Sequence, residues 1–505
     1  MPKLCLLLSL PARVAIGLAL FATMHAAMAQ LAPGTTIRVL PPDGLTIDSN
    51  GQTNGGTLEV RDPAGVGLAN VALTRTRITS TGATQGTASG LATNANGIFS
   101  QGTLTWGTQP EELEGGANRY CLVNVPAAEA GQACVDVTVL GTVITSVRGT
   151  KVYTVGGAAM AASVAEATRA STTTALQGVR VQLGHAQARL RALRLGANAG
   201  WVNDSTVQIN GRSVPVSSST ASPPGSSEEA AATRSSGWGG YVMGTVSVQE
   251  AKDGNALKVK TDGLSVGADY RLSRRAVVGA AVGGSKSDSD VSGVPQAQSS
   301  KGTSFTLYGS YEPAPQWYVD AAVSMARNDF TLKRATASGG LAQADTRGSG
   351  TGLSITSGYQ IVGGSVIVSP YARVDALRVS IDGYTETGDT PFTVNEQSVR
   401  SNAVTLGSEF QYIVPTRYAI VVPHVRVEMQ RQSQSSQGVT ATLVGSGVQL
   451  SAEPQLDADK SFGYCSVGLS AQFKRGVSAF VDYEAMFAKS DVSERRVNLG
   501  MKLEF

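Results

Sequence analysis

Residue types that carry acid–base and nucleophilic chemistry are few in this chain of 505 residues. After residue 29 the only histidines are His185 and His424, and neither lies between residues 30 and 155. A Ser-His-Asp or Cys-His site in that region would need an imidazole beside its nucleophile. A Gly-Asp-Ser-Leu block and a Gly-x-Ser-x-Gly motif near a strand-to-helix turn are also absent. The sequence therefore predicts a protein that is not an enzyme, and we interpret His424 as a structural residue.

The first 29 residues have the pattern of a cleavable signal peptide. Lys3 and Arg13 precede an apolar run over residues 14–21. The small residues Ala27 and Ala29 fit the specificity of signal peptidase, which makes Gln30 the first residue of the mature chain. The alternative is a membrane anchor, but the apolar run is shorter than the roughly 20 residues that cross a bilayer. We therefore expect export through the inner membrane.

Cysteine usage fits an exported protein. Of the four cysteines, Cys5 lies in the predicted signal peptide, and Cys121 and Cys134 are the only pair close in sequence. Because exported proteins meet oxidising conditions, we expect a disulfide between Cys121 and Cys134, with Cys465 left as a single thiol. A metal site at this pair would lack histidine ligands. No metal and no cofactor are therefore expected.

A group of arginines lies in a long helical pattern over residues 156–197. The stretch from Ala161 to Ala170 has high helix propensity, and apolar residues then recur near helical spacing. The basic residues of the second half are Arg180, Arg189, Arg191 and Arg194. A surface helix of a soluble domain would have a similar composition, so the role of this helix depends on the segments around it.

The segments on either side of the helix differ in character. Residues 30–155 alternate apolar and polar residues between turn signals, which predicts a small all-β, sandwich-like domain. Its sequences TLEVRDPAGVGLANVALT and LATNANGIF resemble bacterial immunoglobulin-like modules. Residues 198–236 are rich in Ser and Pro and are interpreted as a linker. The net charge of +3 is too near balance to indicate a nucleic-acid partner.

Residues 237–505 contain about twelve strand-like segments of alternating polarity. In the last segment one face carries Val497, Leu499, Met501, Leu503 and Phe505, and the other carries Asn498, Gly500, Lys502 and Glu504. The first face suits lipid and the second suits water. An open sheet edge would leave backbone groups unpaired in hydrocarbon, so the sheet must close. The sequence thus predicts a transmembrane antiparallel β-barrel in the outer membrane.

Three features together resemble the translocator of monomeric autotransporters: the Arg-bearing helix before the first strand, about twelve barrel segments, and the terminal VNLGMKLEF. The resemblance covers roughly residues 163–505. It implies that the helix threads the pore and that outer-membrane lipid surrounds the barrel. It also implies that the barrel-assembly machinery, with periplasmic chaperones, recognises the terminal strand.

An Arg-rich helix in a polar lumen can pair with inward carboxylates. The candidate partners, all on the polar phase of their strands, are Asp320, Asp375, Glu409, Glu428, Asp482 and Glu484. For each of them a hydrated lumen charge is the alternative interpretation.

Two functions remain open at this point. In the first, the barrel translocates or displays its own N-terminal domain at the cell surface, where the domain contacts a host or cell-surface ligand, as in adhesion. In the second, the protein is an outer-membrane channel or structural protein whose N-terminal domain stays in the periplasm.

Overall fold

The structure is a computed structural model that describes most of the chain after residue 29. The described ranges are residues 30–40, 52–53, 57–78, 83–99, 104–105, 114–140, 143–146, 152–196, 206–209, 212–215, 237–251, 257–273, 275–291, 294–336, 339–416, 418–452, 460–473, 477–490 and 492–504. The predicted signal peptide, with Ala27 and Ala29, lies outside these ranges, and so does Phe505.

The N-terminal region forms small antiparallel sheets. Its strands are β1 (Thr36–Leu40), β2 (Gln52–Thr53), β3 (Thr57–Arg61), β4 (Ala72–Ile78), β5 (Thr84–Ala92), β6 (Ile98–Phe99), β7 (Leu104–Thr105), β8 (Glu114–Leu122), β9 (Cys134–Leu140), β10 (Val143–Ser146) and β11 (Val152–Thr154). One sheet has the order β11-β1-β3-β6, a second has the order β10-β9-β8-β4-β5, and β2 pairs with β7. Small N-terminal sheets agree with the predicted all-β character.

The two larger sheets share one apolar core. Ile37 and Leu58 from the first sheet pack in the same cluster as Leu73 and Tyr120 from the second, and all four side chains are fully buried. The alternation along β3 explains this arrangement, because Leu58 and Val60, on either side of Glu59, both face inward. The alternating sequence pattern therefore corresponds to one buried face on each sheet.

Glu59 is a buried carboxylate held by two arginines. Arg61 Nη2 donates to Glu59 Oε1 at 2.5 Å, and Arg38 Nε donates to Oε2. The hydrogen bond from Arg61, together with that from Arg38, lowers the pKa of Glu59 against the opposing effect of burial. A carboxyl whose folded pKa is depressed stabilises the fold above its unfolded pKa of about 4.3 and loses that contribution as the pH falls through the folded value.

We expect acid to weaken this domain partly through Glu59. In the Glu59→Gln variant the free energy of unfolding at pH 7 should fall by about 1 kcal/mol or less, because both arginines are partly exposed. Its pH dependence below pH 5 should be flatter than in the wild type. Protease resistance of residues 30–155 in the full chain, measured from pH 7 to pH 3, checks this. Equal slopes in the two proteins would contradict it.

Cys121 and Cys134 form a disulfide across β8 and β9. The two residues are direct register partners in the ladder, and their sulfur atoms are 2.02 Å apart. The bond closes a short loop, because the cysteines are 13 positions apart in sequence. Cys465 is a free thiol on the exposed face of a distant strand.

Removing this disulfide should destabilise the N-terminal domain alone. A loop of this length corresponds to about 3 kcal/mol of stabilisation. We expect the Cys121→Ser/Cys134→Ser variant to lose protease resistance within residues 30–155 and to keep the heat-resistant gel mobility of a folded barrel. Cys465→Ser is the matched control and should change neither property. A fully protease-resistant double variant would contradict the expectation.

One helix, α1 (Gly157–Gly196), follows the N-terminal sheets. It is followed by a short hairpin of β12 (Thr206–Ile209) and β13 (Arg212–Pro215). This hairpin lies in the segment expected from its Ser and Pro content to be a linker, so part of that segment pairs locally. Among the described residues no helix is long and apolar enough to cross a membrane.

Twelve long strands form a closed antiparallel barrel, which confirms the predicted fold class and strand number. They are β14 (Trp238–Ala251), β15 (Leu257–Ser273), β16 (Ala276–Val291), β17 (Val294–Ala314), β18 (Trp317–Ala335), β19 (Leu341–Tyr359), β21 (Val366–Ile381), β25 (Gln397–Tyr412), β27 (Ala419–Ser436), β30 (Ser461–Phe473), β31 (Val477–Phe487) and β32 (Val492–Glu504). Pairing of β32 with β14, from Gly239↔Glu504 to Ala251↔Val492, closes the cylinder.

Short strands lie at the two ends of the barrel. They are β20 (Ile361–Gly363), β22 (Tyr384–Thr385), β23 (Thr387–Gly388), β24 (Phe392–Val394), β26 (Val414–Pro415), β28 (Val439–Leu443) and β29 (Gln449–Ala452). The longest connections follow β21 and β27. Their described residues, 382–396 and 437–452, lie at one end of the barrel, and their strands form the sheet β22-β24-β28-β29. We call this the long-loop end. The first residue of β14 and the last of β32 lie at the other end, the termini end.

The outer wall of the barrel is apolar. Its exposed side chains include Val246, Leu264, Val282, Leu307, Val323, Ile355, Leu406, Val467, Leu499 and Met501. Exposed aromatics ring the termini end at Trp238, Tyr311, Trp317, Tyr359, Tyr412 and Phe473. An apolar band bordered by aromatic residues is the surface that a barrel presents to a bilayer. The face predicted to contact lipid is thus the one that points outward.

Candidate functional site

Helix α1 lies inside the barrel and is packed against one side of its wall. Its contacts run along β15 to β19, with fewer on β21, β25 and β14. Val179 and Leu183 are buried against this wall, where Gly350 and Gly352 of β19 leave room for them. A Cβ on Gly352 would lie 2.6 Å from a methyl carbon of Leu183. Glycines in the wall therefore allow the helix to approach the strands closely.

Two arginines bind the last turns of α1 to the wall near the termini end. Arg189 donates to both oxygens of Asp269, at 2.6 and 2.8 Å, and the two side chains are 0% and 5% exposed. Arg194 pairs with Asp320 and stacks on the ring of Tyr318 at 3.8 Å. A two-pronged guanidinium–carboxylate pair specifies orientation as well as distance. These pairs determine how deep the helix lies and which way it is rotated.

Arg180 and Arg191 occupy the opposite, more open side of α1. Both line a polar cavity between the helix and the far wall. Arg180 reaches only the Ser401 hydroxyl, at 3.5 Å, and neither arginine makes an ion pair with the residues the structure describes. The four arginines predicted to act together thus divide into two anchors and two cavity-lining cations.

Most of the candidate carboxylates bind cations of the wall instead of the helix. Glu428 is bound by Arg373 at 2.9 Å and by Arg426 at 3.3 Å, and Glu484 is bound by Arg426 at 2.5 Å. Glu484 also contacts a further wall residue, Arg496, at 3.1 Å. We expected these carboxylates to pair with arginines of α1. They pair with the wall instead, because neighbouring strands carry arginines at the same height along the barrel axis.

The remaining candidates have mixed surroundings. Asp482 contacts His424 at 3.2 Å and accepts hydrogen bonds from Ser466. Asp375 is bound by Arg373 at 2.9 Å and also accepts a hydrogen bond from Gln187 of the helix. Glu409 is buried and lines a cavity together with Arg191. Of the six, only Asp320 makes an ion pair with an arginine of α1 within the described residues.

Two functional contacts have no signal in the sequence. Asp269 was not among the candidates, although it binds the most buried arginine of the helix. At the long-loop end, Arg334 donates to both oxygens of Glu386, at 2.9 and 2.6 Å, and to Ser163 of α1 at 3.1 Å. Both contacts depend on how far neighbouring strands are staggered. The alternation of residues along one strand gives no information about that stagger.

The long-loop end is covered by an apolar cap. Met160 and Val164 of α1 pack in one buried cluster with Phe392, Val439 and Leu443 from the long connections. The cluster joins the first turns of the helix to the sheet β22-β24-β28-β29. The lumen is therefore occupied by α1 along its length and covered by apolar side chains at this end.

The histidines have structural surroundings. His185 of α1 lies between two wall hydroxyls, with Nδ1 2.6 Å from Ser265 Oγ and Nε2 2.7 Å from Thr245 Oγ1. Ser265 sits in the middle of β15, and its hydroxyl donates to Gln182 at 2.6 Å. A serine nucleophile would instead give its proton to the histidine. In the described ranges no group of three His, Cys, Asp or Glu side chains could hold a metal ion.

The terminal strand has the two faces that its sequence predicts. Val497, Leu499, Met501 and Leu503 point outward and are exposed, whereas Lys502 is buried in the lumen. A closed twelve-strand barrel with an apolar outer wall, a charged lumen and an internal helix defines an outer-membrane protein.

Comparison with known proteins identifies the family. Residues 237–484 match the family described as the autotransporter beta-domain, and this part of the chain belongs to that family. The resemblance seen in the sequence and the outer-membrane location are thereby confirmed. Outer membrane protein B of Rickettsia typhi is 25% identical over 309 residues, which are 56% of this chain and 17% of that protein. The chain thus spans about a sixth of that relative's length.

Two autotransporter domains of known structure are similar to this chain. The β-domain of the Bordetella autotransporter BrkA is 18% identical, with a TM-score of 0.43, over 53% of this chain and 100% of that one. The translocator domain of NalP from Neisseria meningitidis is 13% identical, also with a TM-score of 0.43, over 53% of this chain and 89% of that one.

Proposed function

We propose that the barrel displays its own N-terminal domain, residues 30–155, at the cell surface. In bacterial single-chain barrels the longer connections face outward and the short turns face the periplasm. Helix α1 begins at the long-loop end and runs to the termini end, as its contacts with Arg334 and Asp320 require. This direction is the observation that supports the proposal, because residues 30–155 precede α1 at the end of the barrel that we expect to face outward.

The junction between domain and helix supports the same arrangement. The Val155 amide donates to the Thr35 carbonyl at 2.8 Å, and the Gly156 amide donates to Glu129 at 2.9 Å. These bonds hold the start of α1 against the N-terminal sheets. The turn at Gly65 also lies beside the long connection, since a Cβ on Gly65 would be 2.8 Å from the Gly445 carbonyl oxygen. The domain therefore adjoins the long-loop end.

Protease treatment of intact cells tests the display. We expect an external protease to release fragments of residues 30–155 while the barrel stays in the membrane, and mass measurement of the fragments to locate the cleavage site. A periplasmic marker protein that survives the treatment is the control. If residues 30–155 are digested only after the outer membrane is permeabilised, the domain is periplasmic and the proposal fails.

We further propose that the displayed domain acts by contact, as in adhesion, and that neither part of the chain is catalytic. The absence of histidine from residues 30–155 supports a binding role, as does the family resemblance. Binding of cells to host surfaces, compared between the full chain and a variant lacking residues 30–155, tests it. Equal binding by both strains would contradict an adhesive role.

Assembly is proposed to depend on the terminal strand. Val497, Leu499, Met501 and Leu503 lie on the outward face, and Phe505 follows them at the same spacing in the sequence. We expect the barrel-assembly machinery to recognise this set of five residues. Replacing Phe505 with Ser should leave more protein bound to periplasmic chaperones and less in the membrane. Unchanged membrane insertion would show that recognition lies elsewhere.

A further inference from the structure

Charged residues form a belt on the outer wall of the barrel, between the apolar band and the long-loop end. On one side of the barrel several of these charges are paired. Lys258 lies 3.1 Å from Glu250, Lys286 lies 2.9 Å from Asp288, and a longer contact of 3.5 Å joins Arg347 to its acidic neighbour on β18. Such pairs balance the charge of this part of the surface.

The other side of the belt is purely basic. Arg378 of β21, Arg400 of β25 and Arg431 of β27 are all exposed and make no ion pair with the described residues. None of the outward-facing residues of these three strands is acidic. The carboxylate of Glu396, in the connection beyond them, accepts a hydrogen bond from Ser380 at 2.5 Å. The three arginines thus form a positive patch, called here the arginine patch.

Two of these arginines face each other directly. Arg378 and Arg400 are register partners in adjacent antiparallel strands, so their Cβ atoms are about 5 Å apart. Like charges placed opposite each other on a sheet are destabilising unless something neutralises them. Arg431 lies four residues from Ser435, the register partner of Arg400, or about 13 Å along its strand toward the apolar band.

The position of the arginine patch relative to the apolar band indicates which group neutralises its positive charge. Just below the arginines the same outward faces become apolar at Val374, Val404 and Met429, which are 52%, 53% and 50% exposed. Side chains immediately above the apolar band of a membrane barrel lie at the level of the lipid headgroups. Arginine binds phosphate through a planar pair of donors.

We propose that the arginine patch binds an anionic, phosphate-bearing lipid headgroup in the leaflet at the long-loop end. The lipid tail would lie along the exposed apolar residues below the patch. The site is independent of what the N-terminal domain does, because it uses only the outer wall.

Native mass spectrometry of the full-length protein in detergent tests lipid binding. With phosphatidylglycerol as the probe, we expect the Arg378→Gln/Arg400→Gln variant to bind about 30-fold more weakly than the wild type, since each basic residue near an anionic surface contributes roughly fivefold. Arg378→Lys/Arg400→Lys should keep most of the binding. Lys258→Gln, which removes a paired charge from the same belt, is the control and should bind normally.

Thermal unfolding in vesicles gives a second readout. The difference in stability between the Arg378→Gln/Arg400→Gln variant and the wild type should change sign between the two lipids. In phosphatidylcholine the Arg378→Gln/Arg400→Gln barrel should be at least as stable as the wild type, because the repulsion is gone. In phosphatidylglycerol the wild type should be the more stable. Equal phosphatidylglycerol binding by wild type and double variant would overturn the proposal. So would displacement of the lipid by an equal concentration of inorganic phosphate, which would show an adventitious ion site only.

Discussion

Replacing Arg189 with Ala is expected to destabilise the folded barrel by about 3 kcal/mol or more. The substitution leaves Asp269 charged and buried without its bidentate partner, and breaking one side of a buried pair costs several times more than removing an exposed charge. The loss should appear as a lower temperature at which the heat-resistant gel band of the barrel disappears, and as a lower denaturant midpoint in vesicles.

The helix supplies a matched control for this prediction. Arg180 is on the same helix and has the same charge, but its one described contact is a 3.5 Å approach to a hydroxyl. Arg180→Ala should therefore cost well under half as much as Arg189→Ala. The Arg189→Ala/Asp269→Ala variant should recover part of the loss, because no uncompensated charge remains. Equal losses in the two single variants would show that Arg189 acts through general packing.

Removing residues 157–196, which form α1, should open the lumen of the barrel to ions. An α-helix with its side chains is about 10–12 Å across, and α1 occupies the lumen from the apolar cap around Phe392 to its ion pair with Asp320. In planar bilayers we expect the deleted protein to conduct ions several-fold better than the full chain. The heat-resistant gel band of the deleted protein establishes that the barrel itself has folded.

A charge variant separates blockage from electrostatics. Arg180→Gln/Arg191→Gln changes the charge of the lumen cavity and leaves the helix in place, so its conductance should stay close to that of the wild type. If deletion of the helix leaves the conductance unchanged, α1 is not an internal plug, and the direction of display argued from its position loses its support.

Strand periodicity predicted the barrel because it is a local property. The alternation from Val497 to Glu504 assigns each side chain to a face without any knowledge of its neighbours, and the same reasoning gave twelve segments. Several strands begin before the apolar residues that mark them in the sequence: the strand with the lipid-facing Leu264 begins at Leu257, and the strand with Val404 begins at Gln397. These strands continue beyond the apolar band, where the outward face carries charged residues such as Lys258 and Arg400 and the signal of a lipid-facing strand ends.

Which charged residues pair with each other could not be predicted from local sequence patterns. The sequence by itself determined the Arg-rich helix and the inward phase of the carboxylates, and its resemblance to autotransporter translocators implied that the two would share a lumen. The tertiary structure alone decided that Arg189 meets Asp269, that Arg426 of the wall takes Glu484, and that Arg378 faces Arg400. The physical reason is that the stagger of the strands around the barrel and the depth of the helix set which residues lie at the same height. Both are collective results of closing the sheet.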